Sequence, residues 1–85
     1  MNRDSIEKTL NRLAQRNGIK GYDTLTIDMP IVDHTNINSL LAVKFFVDIE
    51  RVFGIEISDN DLILPPSSTK SDIVFLVLKA LNMQD

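Results

Sequence analysis

Ser39 is the residue whose type and setting best suit chemistry. It stands in Asn36-Ile37-Asn38-Ser39-Leu40-Leu41, where a long loop runs into the most apolar helix of the chain. A serine at a helix start is usually a cap. Here Asn38 is itself a good N-cap, which makes Ser39 the first helical residue, at a reachable loop-to-helix corner. The other candidates are weaker. His34 is the single histidine, and the chain has no cysteine for it to activate. Ser39, His34 and Asp33 together suggest a hydrolytic triad, but nearness in sequence is not triad geometry. Asp23, Asp28 and Asp33 recur every five residues and invite a cation. They lack the ligand spacing and closing glutamate of a calcium loop. No catalytic residue, no metal site and no enzyme activity are expected.

The elements that position Ser39 must fit into 85 residues, which make one domain, 1–85. A chain of this size buries only about 60–65% of its unfolded surface, so its stability margin is thin. The absence of cysteine removes disulfides and thiolate metal sites. Residues Met1 to Arg16 scatter charges and contain no apolar h-region, so they do not read as a signal peptide. The apolar run Ile73 to Leu78 is far too short to span a bilayer. A soluble cytoplasmic domain that engages no membrane is expected. The net charge of −3 and pI near 4.9 argue against nucleic acid as a partner, because phosphate binding needs a basic stripe. The basic start, with Arg3, Lys8, Arg12 and Arg16, reads as a solvated helix face.

Helical spacing puts Ile6, Leu10, Leu13 and Ala14 on one face of a first helix over about 4–16, capped by Asp4 or Ser5 and followed by Gly18. Residues 18 to 37 hold no sustained period. Gly18, Gly21 and Pro30 interrupt them, yet Tyr22, Leu25, Ile27, Met29, Ile31 and Val32 give this loop enough apolar weight to pack across the domain. A second helix over 39–53, about 22 Å long, ends at Gly54. It is apolar around most of its girth, with Lys44, Asp48 and Arg51 on one narrow stripe at i, i+4, i+7. Such a helix is central to a bundle or lends surface to a partner. Leu41 and Phe45, at the stripe's edge, admit both readings. Ile55-Glu56-Ile57 is an extended connector with two inward isoleucines. Ser58 and Asp61 mark a short helix over about 59–63, which Pro65-Pro66-Ser67-Ser68 ends. A last helix over about 70–82 is capped by Thr69 or Ser71. Its run Ile73–Leu78 also suits a buried strand on periodicity alone, but its caps and the good helix formers that follow favour helix. The sum is an all-α four-helix bundle, three helices long and one short, with a long first loop.

From about Met29 onward the chain resembles the acyl and peptidyl carrier proteins. The resemblance rests on Asn38-Ser39-Leu40, close to the D-S-L motif that opens that family's second helix. Glu50, Phe53, Ile55 and Ile57 at the helix end, Asp59 and Leu62 in the short helix, and Thr69, Asp72 and Ile73, similar to a T-x-x-D-I pattern, extend it. The resemblance implies an acyl-carrier-like bundle in which Ser39 bears a 4′-phosphopantetheine arm drawn from coenzyme A. An acyl or aminoacyl group would ride on the arm's thiol as a thioester, which explains why the chain needs no cysteine of its own. The implied partners are a phosphopantetheinyl transferase, an acyl- or aminoacyl-adenylating ligase, and downstream condensing, transferring or thioesterase enzymes. Asn38, Leu40, Leu41, Lys44 and Phe45 are the candidate docking residues on a monomeric carrier.

The departures from the family pattern also inform. Thr35 and Asn36 stand where leucine and glycine are usual, and Asn36 is the residue other than glycine that best tolerates left-handed backbone. Asn38 replaces the usual aspartate, as in variants similar to nonribosomal-peptide carriers, and Lys70 stands where an apolar residue is common. Lys44 stands where fatty-acid carriers usually have glutamate. Hence a nonribosomal-peptide, polyketide or related specialised pathway is preferred over fatty-acid synthesis. The other alternative is an unmodified helical interaction module with the same fold. Met1 and the native-looking end read as a free-standing protein.

Overall fold

Ile6, Leu10, Leu13 and Ala14 form the buried face of helix α1, Arg3–Arg16. The helix begins one residue before the expected boundary, because Asn2 is its cap rather than Asp4 or Ser5. The Asn2 side chain accepts from Ser5 N at 2.8 Å. Asparagine is among the best N-caps, and this frees Asp4 to sit in the first turn beside the positive end of the dipole. The far end closes as a Schellman turn: Ile19 N donates to Ala14 O at 2.9 Å and Gly18 N to Gln15 O at 3.1 Å. Gly18 has φ 77°, the left-handed conformation that the turn needs.

The structure is a computed structural model that describes residues 2–58 and 65–82. The helix expected over 59–63 lies outside the described residues. Within them the architecture is all-helical, with no strand. Two short elements occupy the long loop: a 3₁₀ turn at Tyr22–Thr24 and the four-residue helix α2, Ile31–His34. They place Tyr22, Leu25 and Ile31 in the core, with Met29 partly buried against it. Ile27 is an exception to the expected packing, since half its surface is exposed. Gly21, φ 89°, passes so close to α2 that a Cβ there would lie 2.9 Å from His34 O.

Helix α3, Ser39–Phe53, runs through the middle of the domain and buries Ala42, Phe45, Phe46, Ile49 and Phe53. It stops at Gly54, φ 65°, as its left-handed cap requires. The connector beyond is held by the same helix: the Glu50 carboxylate accepts from Ile57 N at 2.9 Å, and Ile55 and Ile57 turn inward. Helix α4, Lys70–Asn82, opens with a reciprocal capping box. Thr69 Oγ1 accepts from Asp72 N at 3.3 Å, and the Asp72 carboxylate accepts from Thr69 N at 3.0 Å. The run Ile73–Leu78 is therefore helical, and the 3.6-residue period turns Phe75 outward while Ile73, Val74 and Val77 are buried.

The core centres on Phe45. Its ring meets Tyr22 edge-on at 5.4 Å and stacks with Phe46 at 6.0 Å. Each such buried side chain contributes about 1.5–3 kcal/mol over an exposed one. Polar contacts then fix the elements around it. Ile31 N donates to Ser68 O at 2.9 Å and Ser71 N to Ile27 O at 3.3 Å, which ties the long loop to the start of α4. Arg3 Nη2 donates to Ser71 Oγ at 3.1 Å, joining α1 to the same place.

Candidate functional site

Ser39 is the first residue of α3, and it is exposed. Asn38 before it is extended, and its side chain accepts from Leu41 N at 2.9 Å while its carbonyl accepts from Ala42 N at 2.8 Å. The cap is thus complete without the serine. The Ser39 hydroxyl makes no hydrogen bond among the described residues. The N–H groups of Ser39 and Leu40 precede the first intrahelical bond and lie at the positive end of the α3 dipole, a setting that suits an anion.

The approach to Ser39 is pinned. The Asn36 side chain accepts from Lys20 N at 2.6 Å and donates to Gly18 O at 2.9 Å. Thr35 Oγ1 donates to Ile31 O at 2.8 Å and accepts from Ile37 N at 3.2 Å. Every positive φ among the described residues belongs to glycine. Asn36 therefore does not supply left-handed backbone. It serves instead as a side-chain clasp between the two ends of the long loop, a role with no spacing signal by which to find it.

Of the docking candidates, Asn38, Leu40 and Lys44 are exposed, with Leu40 at 63%. Leu41 is half-buried against the core. Phe45 is fully buried, with Tyr22 and Phe46 packed against its ring, so it offers no surface for docking. Val43 and Val47, 45% and 41% exposed, add aliphatic surface beside Leu40. The helical period alone identifies them, since Leu40, Val43 and Val47 stand at i, i+3, i+7. The expected charged stripe also divides. Lys44 and Arg51 face solvent, whereas Asp48 turns toward α1, where its carboxylate accepts from Asn17 Nδ2 at 2.8 Å and lies 3.9 Å from Arg16 Nε.

No hydrogen bond joins Ser39, His34 and Asp33, all exposed. Among the described residues no group of three or more His, Asp or Glu side chains could hold a metal ion. Among them, too, no helix is long and apolar enough to cross a membrane. The ionisable groups whose affinities move lie away from Ser39. Burial, helped by the nearby Glu7 charge, pushes the Tyr22 phenol far up. Burial lowers the Lys70 ammonium against the opposing pull of Glu7 and Asp23. Lys70 Nζ sits 4.9 Å above the Tyr22 ring, so the unusual lysine has an aromatic face as partner.

The chain is similar to an acyl carrier protein of Rickettsia bellii (strain OSU 85-389). The two are 24% identical over 58 residues, which cover 68% of this chain and 72% of the relative. This likeness supports the carrier family at large and does not distinguish peptidyl carriers within it. No family model matches the chain, and no solved structure matches it.

Proposed function

We propose that the chain is a carrier protein whose Ser39 bears a 4′-phosphopantetheine arm. The observation that carries this reading is the exposed Ser39 hydroxyl, without a hydrogen bond among the described residues, at the first residue of α3, one step after a cap that does not need it. The similarity to an acyl carrier protein supports it from a separate direction.

The residues present fit such a group. Ser39 offers its oxygen at a corner that a transferase can reach, and the Ser39 and Leu40 N–H groups favour a phosphodiester there. Asn38 keeps α3 wound to its first turn, so the attachment point is held on a rigid element. The Asn36 clasp fixes the loop from which the corner projects. When bound, the arm supplies the terminal thiol on which an acyl or aminoacyl group is held as a thioester. The chain itself holds and presents; it makes and breaks no bond of the cargo. Its partners are a phosphopantetheinyl transferase, a loading ligase and the enzymes that take the cargo onward. Exposed Lys44 and Arg51 on α3 favour a nonribosomal-peptide, polyketide or related specialised pathway.

The test is intact mass after incubation with coenzyme A and a broad-specificity phosphopantetheinyl transferase. The expected result is a gain of one phosphopantetheine group in the wild type and none in Ser39→Ala, with the fold unchanged. A folded wild type that gains nothing beside an active control carrier would sink the reading.

A further inference from the structure

The acids and the bases of α3 differ in what they engage. The helix carries two acids, and both are engaged at its flanks: Asp48 with Asn17 and Arg16, Glu50 with Ile57 N. Its two bases, Lys44 and Arg51, are exposed and make no hydrogen bond or ion pair among the described residues. The outer stripe therefore runs Leu40, Lys44, Val47, Arg51 at i, i+4, i+7, i+11, with Val43 beside it. The three aliphatic residues in it are each more than 40% exposed. This cationic, apolar stripe lies on a chain of net charge −3, and it starts one residue after Ser39.

We propose that this stripe docks a protein surface bearing two carboxylates about 10 Å apart, the rise between Lys44 and Arg51, around an apolar seat for Leu40, Val43 and Val47. Charge complementarity selects that occupant. An acidic partner meets two exposed cations that have no ion-pair partner among the described residues, while a basic partner meets like charge. An anionic bilayer fits less well. The aliphatic residues are interleaved with the cations rather than set on an opposite face, none of them is aromatic, and the net charge of the whole chain opposes approach to a negative surface. That the docked protein is an enzyme acting at Ser39 rests on the carrier reading. The polarity of the surface does not.

The experiment keeps the two apart. Isotope-labelled protein is titrated at low salt with two helical peptides that share a leucine face and differ only in carrying Glu or Lys at i and i+7. Vesicles of phosphatidylcholine with and without phosphatidylglycerol are titrated in parallel. The expected result is backbone amide shifts confined to Leu40, Val43, Lys44, Val47 and Arg51 with the Glu peptide. Binding should weaken roughly ten-fold in the Lys44→Glu/Arg51→Glu variant, as reversing two exposed pairs implies, and should fade with added salt. Both substitutions are at exposed positions, and an unchanged melting curve verifies the variant's fold. Equal response to both peptides, shifts elsewhere on the protein, or binding to anionic vesicles without response to the Glu peptide would overturn the proposal. A chain that binds the Glu peptide here yet gains no phosphopantetheine group keeps this surface and loses the carrier reading. A chain that is loaded but ignores the peptide loses the surface alone.

Discussion

Two asparagines flank the Ser39 corner, and they do different work with the same side chain. Asn38 caps a helix, a local task that its position before an apolar run makes readable. Asn36 joins Lys20 N to Gly18 O, sixteen and eighteen residues away, and nothing in its neighbours announces that. The distinction has a consequence. If Asn36 stood in left-handed backbone, glycine would relieve it. Since its φ is not positive, Asn36→Gly removes two hydrogen bonds and adds unfolded-state entropy. The expected loss is about 1–3 kcal/mol in a urea titration, with Asn36→Ala losing less. A neutral or stabilising glycine would show that the clasp contributes nothing. Ser39→Ala, by contrast, should change stability by no more than about 0.5 kcal/mol, because the exposed hydroxyl makes no hydrogen bond among the described residues.

Among the elements, α3 and α4 start at caps that the sequence displays, Asn38 and Thr69, whereas α1 is capped by Asn2 in place of the expected Asp4 or Ser5; the left-handed glycines Gly18 and Gly54 stand just past the ends of α1 and α3. Their apolar faces repeat often enough for the period to be read. The 3₁₀ turn and α2 are three and four residues long, shorter than any window in which a period can be counted. They exist because the loop must bury Tyr22, Leu25 and Ile31 while meeting its backbone hydrogen bonds, a tertiary demand rather than a local one. The same limit explains Phe45 and Asp48. Phe45 stands at the edge of the α3 stripe and Asp48 within it, and only the positions of Tyr22 and α1 decide that one packs inward and the other turns sideways. Gly21 is where the loop's path is most constrained. A methyl group there would meet the His34 carbonyl at 2.9 Å in a backbone conformation that side chains avoid. Gly21→Ala should therefore cost about 1–3 kcal/mol and raise amide exchange in α2 before α3. Uniform loss across the molecule would mean that the loop is not a separate unit.

Across the whole molecule, one contact gathers the first helix, the long loop and the last helix: Lys70 above Tyr22, with Glu7 close to both. The phenol is nearly inaccessible, and its hydroxyl has no hydrogen-bond partner among the described residues. Burial holds it protonated to higher pH than in the unfolded chain. The folded state thus binds more protons than the unfolded one once pH passes about 10, and stability falls from there as pH rises. Lys70 acts in the opposite sense. Its folded affinity for the proton is lowered, so stability rises with pH between its folded value and the ordinary lysine range. The tyrosine effect is the larger, because its burial is more complete, and it begins where the lysine effect is ending. Tyr22→Phe separates them, since the chain has a single tyrosine. At neutral pH the variant should match or exceed the wild type, because it removes a buried hydroxyl that gains no bond while it keeps the ring against Phe45 and Lys70. Above pH 10 the wild type should lose stability in chemical denaturation and the variant should not. If both fall together, the alkaline loss belongs to some other group, and the phenol is not as sequestered as its surroundings require.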